Sequence, residues 1–183
     1  MKKFLIIALV LVMIPAAIFA KGFSFGIGAT ASTGATINGV IENKIDDLKP
    51  ENFCYGAYAN VKFLLFSANA TLFPKFGEVT DFAGDLSVNF AIDIVVLRLQ
   101  AGLAVNYFGS TDFKNWKFSF AADDIKDAPL SIRGEIDLMI GELNVGVWGL
   151  LPTTATLRTI TDIFEVKDKW KDATLGLSLG VCF

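Results

Sequence analysis

The twelve residues Asp172-Ala173-Thr174-Leu175-Gly176-Leu177-Ser178-Leu179-Gly180-Val181-Cys182-Phe183 alternate apolar with small or polar side chains without a break. Successive side chains of a β-strand point to opposite faces, so this alternation reads as a strand. Ala173, Leu175, Leu177, Leu179, Val181 and Phe183 share one face, and Asp172, Thr174, Gly176, Ser178, Gly180 and Cys182 the other. The first face is wholly apolar. The second carries little bulk.

Working back along the chain, the same period of two recurs in segments of about ten residues, the signature of a membrane β-barrel. It marks strands over Gly22 to Ser32, Phe53 to Phe63, Phe66 to Leu72, Asp85 to Ile94, Leu97 to Tyr107, Leu130 to Ile140 and Leu143 to Leu151, with the terminal segment as the eighth. Parity flips at Leu64-Leu65 and at Val95-Val96, so Phe63 and Phe66 share a face across a tight turn. Gly141-Glu142 makes a third tight turn. The other connections, 33 to 52, 73 to 84, 108 to 129 and 152 to 171, are long. Leu-Leu and Val-Val are poor residues for two-residue turns, which need positive φ; four-residue turns would relieve that conflict.

The leader is of another kind. Lys2 and Lys3 precede an apolar run from Phe4 to Ile14, a break at Pro15, and Ala16-Ala17-Ile18-Phe19-Ala20 before Lys21. This is the three-part plan of a secretory signal peptide, with cleavage expected after Ala20 and residues 21-183 left as one barrel domain. No second stretch is long and apolar enough for a transmembrane helix. The chain is 53% hydrophobic and only 19% charged, greasier than most soluble domains. Sixteen basic residues stand against 19 acidic ones, and the leader carries two of the lysines. A net negative chain without a basic stripe is no partner for nucleic acid.

Two faces of such composition distinguish a membrane barrel from a soluble one. A soluble barrel turns its apolar face inward and meets water with Lys and Glu. Here the apolar face of the strands has no charge, and the other face is dominated by Gly, Ser, Thr, Ala and Asn, which suit a crowded lumen. Phe23, Phe25, Phe63, Phe66 and Phe183 fall outward near the tight-turn rim, and Tyr55 and Tyr107 outward near the other, as two aromatic girdles. The expected architecture is therefore all-β, an eight-stranded antiparallel up-and-down transmembrane barrel.

In architecture, topology and the terminal Leu175-Leu177-Leu179-Val181-Phe183 pattern, the mature chain resembles the small eight-stranded outer-membrane proteins typified by OmpX, OmpW and the OmpA transmembrane domain. No side-chain motif selects a subfamily. The resemblance implies a monomer in the bacterial outer membrane, short turns and both termini in the periplasm, and contacts with membrane lipid, periplasmic chaperones and the barrel-assembly machinery. It also implies that the terminal pattern is the assembly signal. The small-barrel enzymes of that setting rely on a histidine, and this chain has none; no catalytic residues are assigned.

Candidate functional residues are the inward charges Lys62, Asp85, Asp93, Arg98, Arg133, Glu135 and Asp137. Lys62, Asp93, Arg98 and Asp137 lie within a few residues of tight turns, near one end of the lumen. Charges in a narrow lumen need partners, which favours an ion-pair network plugging that half; a charged constriction selecting ions is the alternative. Inward glycines such as Gly28, Gly102 and Gly176 leave space, partly refilled by Tyr58 and Trp148, so a water-filled pocket is open to the chain. Neither a metal site nor a cofactor is expected: histidine is absent, and Cys54 and Cys182 belong to opposite ends of the barrel, about a strand length of 30 Å apart and beyond disulfide reach. In the loops, Ile41, Ile45 and Leu48 have helical spacing, and Asn115 to Phe120 alternates as an extracellular hairpin extension would. Two functions fit. One is a small passive channel or conduit for small, even apolar, solutes; the other is a closed barrel displaying loops for adhesion or contact with surface receptors.

Overall fold

In the structure, a computed structural model, residues 22–33, 53–75, 80–112, 117–120, 125–161 and 172–183 are described. Among the described residues nine strands follow in chain order: β1 Phe23–Thr33, β2 Phe53–Phe63, β3 Phe66–Lys75, β4 Thr80–Ile94, β5 Leu97–Asp112, β6 Lys117–Phe120, β7 Pro129–Ile140, β8 Leu143–Thr156 and β9 Thr174–Cys182. Each strand is antiparallel to its neighbours, and β4 pairs with β5 as β1 pairs with β9. Eight strands thus close into a ring in the order β1-β2-β3-β4-β5-β7-β8-β9, with β6 attached to the far end of β5. The leader and the segment with Ile41, Ile45 and Leu48 lie outside the described residues.

Closure follows from the alternation. Along β9 every second residue, Gly176, Ser178, Gly180 and Cys182, is buried, and Leu175, Leu177, Leu179 and Val181 are exposed. β1 repeats the pattern, with Ser24 and Thr30 buried against exposed Phe23, Phe25 and Ile27. A ring that turns most of its leucines and phenylalanines outward, while serines and asparagines face in, is inverted with respect to water. A closed ladder leaves no unpaired backbone for hydrocarbon, so this surface suits lipid. Phe66 and Phe90 meet edge to face on it at 6.2 Å. Tyr107 lies across Gly84 so that its hydroxyl donates to the Thr71 carbonyl, a close approach that a Cβ at Gly84 would block.

Several expectations need correction. The tight turns keep two residues each, with no four-residue relief: Leu64 and Val95 adopt φ of 54° and 56°, and Gly141 φ of 64°. The connection expected over 73 to 84 is mostly strand, because β3 and β4 run on through Lys75 and Thr80. The 108 to 129 connection contains the expected extension: β5 continues to Asp112 and pairs with β6 in the register Asp112↔Lys117 to Gly109↔Phe120. Leu130, expected to face outward, is buried with Ala155 against Val105 and Ile132, at a register shift between Pro129 and Ser131. The two cysteines are free, as expected, but closer than a full strand length. Cys54 faces Ser32 and Cys182 faces Gly26 on β1, a separation of roughly 20 Å along that strand at 3.4 Å per residue, still beyond a disulfide.

Candidate functional site

Inward parity delivers each candidate charge to the lumen. Lys62 arrives from β2, Asp85 and Asp93 from β4, Arg98 from β5, and Arg133, Glu135 and Asp137 from β7; all are buried except Asp93, which is partly exposed. The structure sorts them into two clusters. Near the tight turns, Asp93 accepts from Arg98 Nε at 2.8 Å and forms an ion pair with Lys62 Nζ at 3.1 Å. Higher in the barrel, Arg133 NH1 meets Asp85 Oδ1 at 2.7 Å and its NH2 meets Glu135 Oε2 at 3.0 Å. Asp137, expected in the first cluster, faces Arg98 across the β5–β7 ladder but forms no ion pair with it; instead Gln100 Nε2 donates to its Oδ2 at 2.6 Å.

Neutral side chains join the two clusters. Arg98 donates to Asn60 Oδ1, Asn60 Nδ2 donates to Asn69 Oδ1, and Asn69 Nδ2 donates to Glu135 Oε2. Thr71 closes the upper end by donating to Asp85. Asn60, Asn69, Gln100 and Thr71 were not singled out from the sequence, although their inward parity was the available signal. A hydrogen-bonded column therefore runs from the tight-turn end to Asp85. In a low-dielectric interior such a column holds its members rigidly, because each would lose heavily if left alone.

The column also crosses the barrel. Arg98 NH2 donates to Ser24 Oγ of β1 at 3.1 Å. Three strands lie between β1 and β5 whichever way round the ring is followed, so one guanidinium spans the lumen at its widest. Asn69 to Glu135 ties β3 to β7, and Arg133 to Asp85 ties β7 to β4.

Above this plug the expected glycine spaces are seats for aromatic rings. Trp148 lies over Gly176, whose added Cβ would come within 2.2 Å of the indole, and Trp148 Nε1 donates to Thr30 Oγ1 at 3.0 Å. The Arg133 guanidinium stacks on the same indole at 4.9 Å. Beyond Trp148 and Asp85 the lumen opens into a mouth of about 240 Å³, walled by Phe73, Phe108, Leu150 and Pro152 and edged by Asn106 and Ser131. Among the described residues no three His, Cys, Asp or Glu side chains gather into a metal-binding group.

No family model and no curated protein matches this chain. Among solved structures, the chain is similar to the crystal structure of Neisserial surface protein A (NspA), with 12% sequence identity over 88% of this chain and 96% of that one. The TM-score is 0.44, a likeness of outline that carries no functional assignment.

Proposed function

We propose that the chain resides in the outer membrane of a two-membrane bacterium as a closed barrel, and that it works through the surface it presents outside. That surface is the mouth above Asp85 and Trp148 together with the sheet carried past it by β5 and β6. The location is supported by the ring closure, the apolar outer belt and the contrast between three two-residue turns at one end and longer connections at the other. Lipid, periplasmic chaperones and the barrel-assembly machinery are the partners this location implies, the last reading the Leu175 to Phe183 face; a surface receptor is the one the mouth implies. The reading includes no catalytic step.

One observation carries closure over conduction: Arg98, 2% exposed, is bonded at once to Asp93 of β4, Asn60 of β2 and Ser24 of β1. A guanidinium pinned between opposite walls occupies the path a hydrated ion would take. The mouth favours the second reading, a conduit for small solutes, because its mixed apolar and polar walls suit a small guest; conduction would require the plug to part. Single-channel recording on the refolded protein in a planar bilayer separates the two. Closure expects no steps from a barrel whose folding is confirmed by a heat-dependent gel shift. Reproducible steps whose size or ion preference changes in Arg98→Gln or Asp93→Asn would make the inward charges a selectivity site and overturn it.

A further inference from the structure

The charges buried in the lumen do not balance. Among the described residues, Lys62, Arg98 and Arg133 stand against the carboxylates of Asp85, Asp93, Glu135 and Asp137. Each cation is committed, Lys62 and Arg98 to Asp93, and Arg133 to Asp85 and Glu135. Asp137 is left without an ion pair among these residues, although Arg98 faces it across the β5–β7 ladder.

Glu135 and Asp137 lie two residues apart on β7 and point the same way, so their carboxyl groups meet inside the barrel. Glu135 accepts from Arg133 and Asn69 through Oε2, and its Oε1 lies 3.3 Å from the point where a Cβ on Gly146 would stand. Asp137 Oδ1 crowds the same point, a close approach that a side chain at position 146 would block. The two acids are hydrogen-bonded to each other. Around them, Gln100 of β5 and Asn144 of β8 also bond to Asp137, and Asn144 bonds to Tyr58 of β2. Arg98 is in electrostatic range of Asp137, and Tyr58 of both acids. From β9, Ser178 Oγ borders Gly146, and Cys182 is in range of Tyr58 and Arg98. Asp85 of β4 meets the pair only through Arg133.

An ionised carboxylate can only accept, so a hydrogen bond between two carboxyl groups needs a proton that one of them has kept. Side by side and away from water, two bare carboxylates would repel with little screening. One proton would also bring the three positive and four negative groups of the lumen into balance. We propose that Glu135 and Asp137 share one proton at neutral pH and that this proton holds the plug closed. Its loss on alkalisation sets two like charges against each other over Gly146 and loosens the wall between β7 and β8. The barrel thus carries a pH-sensitive latch, a property beyond the closed-barrel reading and independent of whether the lumen conducts.

The test is urea unfolding of the full protein refolded in detergent micelles, at a series of pH values between about 5 and 7. Free carboxyl groups have released their protons by then, and the chain has no histidine, so little else titrates in that window. The folded barrel keeps a proton that the unfolded chain has lost, so the folded-to-unfolded ratio is expected to fall about tenfold for each pH unit gained. Asp137→Asn supplies the hydrogen bond from an amide and needs no proton; its ratio is expected to stay level across the window. A level ratio in the unaltered protein overturns the proposal, as does a slope that persists in Asp137→Asn. Should Asp137→Asn fail to fold, infrared spectroscopy of the unaltered protein at neutral pH decides: the carbonyl stretch of a protonated carboxyl group, shifted in heavy water, supports the shared proton, and its absence excludes it.

Discussion

Arg98 illustrates what a single residue does in a narrow barrel. Its side chain is long enough to cross from β5 to β1, and its fork of donors serves Asp93, Asn60 and Ser24 together. Replacing it with Met keeps the bulk and removes every donor. Breaking a buried ion pair costs about 3–5 kcal/mol, and the low end applies because Lys62 still neutralises Asp93. Arg98→Met is therefore expected to destabilise the barrel by about 3 kcal/mol in urea titrations; a loss well under 1 kcal/mol would show that the crossing contributes little. Trp148 gives a second case. Gly176→Ala drives a methyl into the indole, and both the ring and the Ala31 carbonyl 2.8 Å away resist it. The ring must leave Thr30 and Arg133, for a loss of about 1–3 kcal/mol and a red-shifted tryptophan emission as the indole meets water. An unchanged spectrum would mean that the strand, not the ring, gives way.

At the level of the hairpin, the three tight turns solve one geometric problem with unequal residues. A two-residue connection between twisted antiparallel strands needs positive φ at its first central position, where glycine is free and an L side chain is strained by about 1–2 kcal/mol. Gly141 meets that demand, whereas Leu64 and Val95 are forced to it. What forces them is register: Phe63↔Phe66 and Ile94↔Leu97 are fixed by the ladders on either side, and a slip of one residue would turn every leucine inward. Val95 is 97% exposed, so its side chain contributes nothing that glycine would lose. Val95→Gly is expected to stabilise the barrel by about 0.5–1 kcal/mol after the entropy of the freer unfolded chain is subtracted. A urea midpoint that falls instead would show that this turn is not strained.

Across the whole molecule the outer surface is graded by depth. Val88 is 66% exposed in the middle of β4, whereas Phe23 lies at the tight-turn rim where aromatic rings collect. If the belt sits in a bilayer, an arginine at Val88 should cost about 2–4 kcal/mol and one at Phe23 about 0–1 kcal/mol. Equilibrium unfolding in lipid vesicles measures both, and equal costs would argue against a membrane midplane at Val88. In detergent-free water the same belt would drive aggregation, since no soluble monomer exposes so continuous an apolar surface.

The alternation of Leu175 to Phe183, and of each segment before it, was sufficient for strand positions, faces and the tight-turn ends, because period two is a local property and a ring leaves no strand edge unpaired. It also placed Lys62, Asp93, Arg98, Arg133, Glu135 and Asp137 inside. Strand ends were less legible. Pro74, Thr80 and the residues after Tyr107 lack clean alternation, yet they pair because the neighbouring ladder continues past the apolar belt. Leu130 is buried through a register shift, which no parity rule anticipates. Which charges meet was decided by the tertiary structure alone. Partners such as Arg98 and Ser24, or Asn69 and Glu135, lie 74 and 66 residues apart, and the stagger of the closed ring sets their heights in the lumen. Local chemistry determined which way each side chain points, whereas the geometry of closure determined what it finds there.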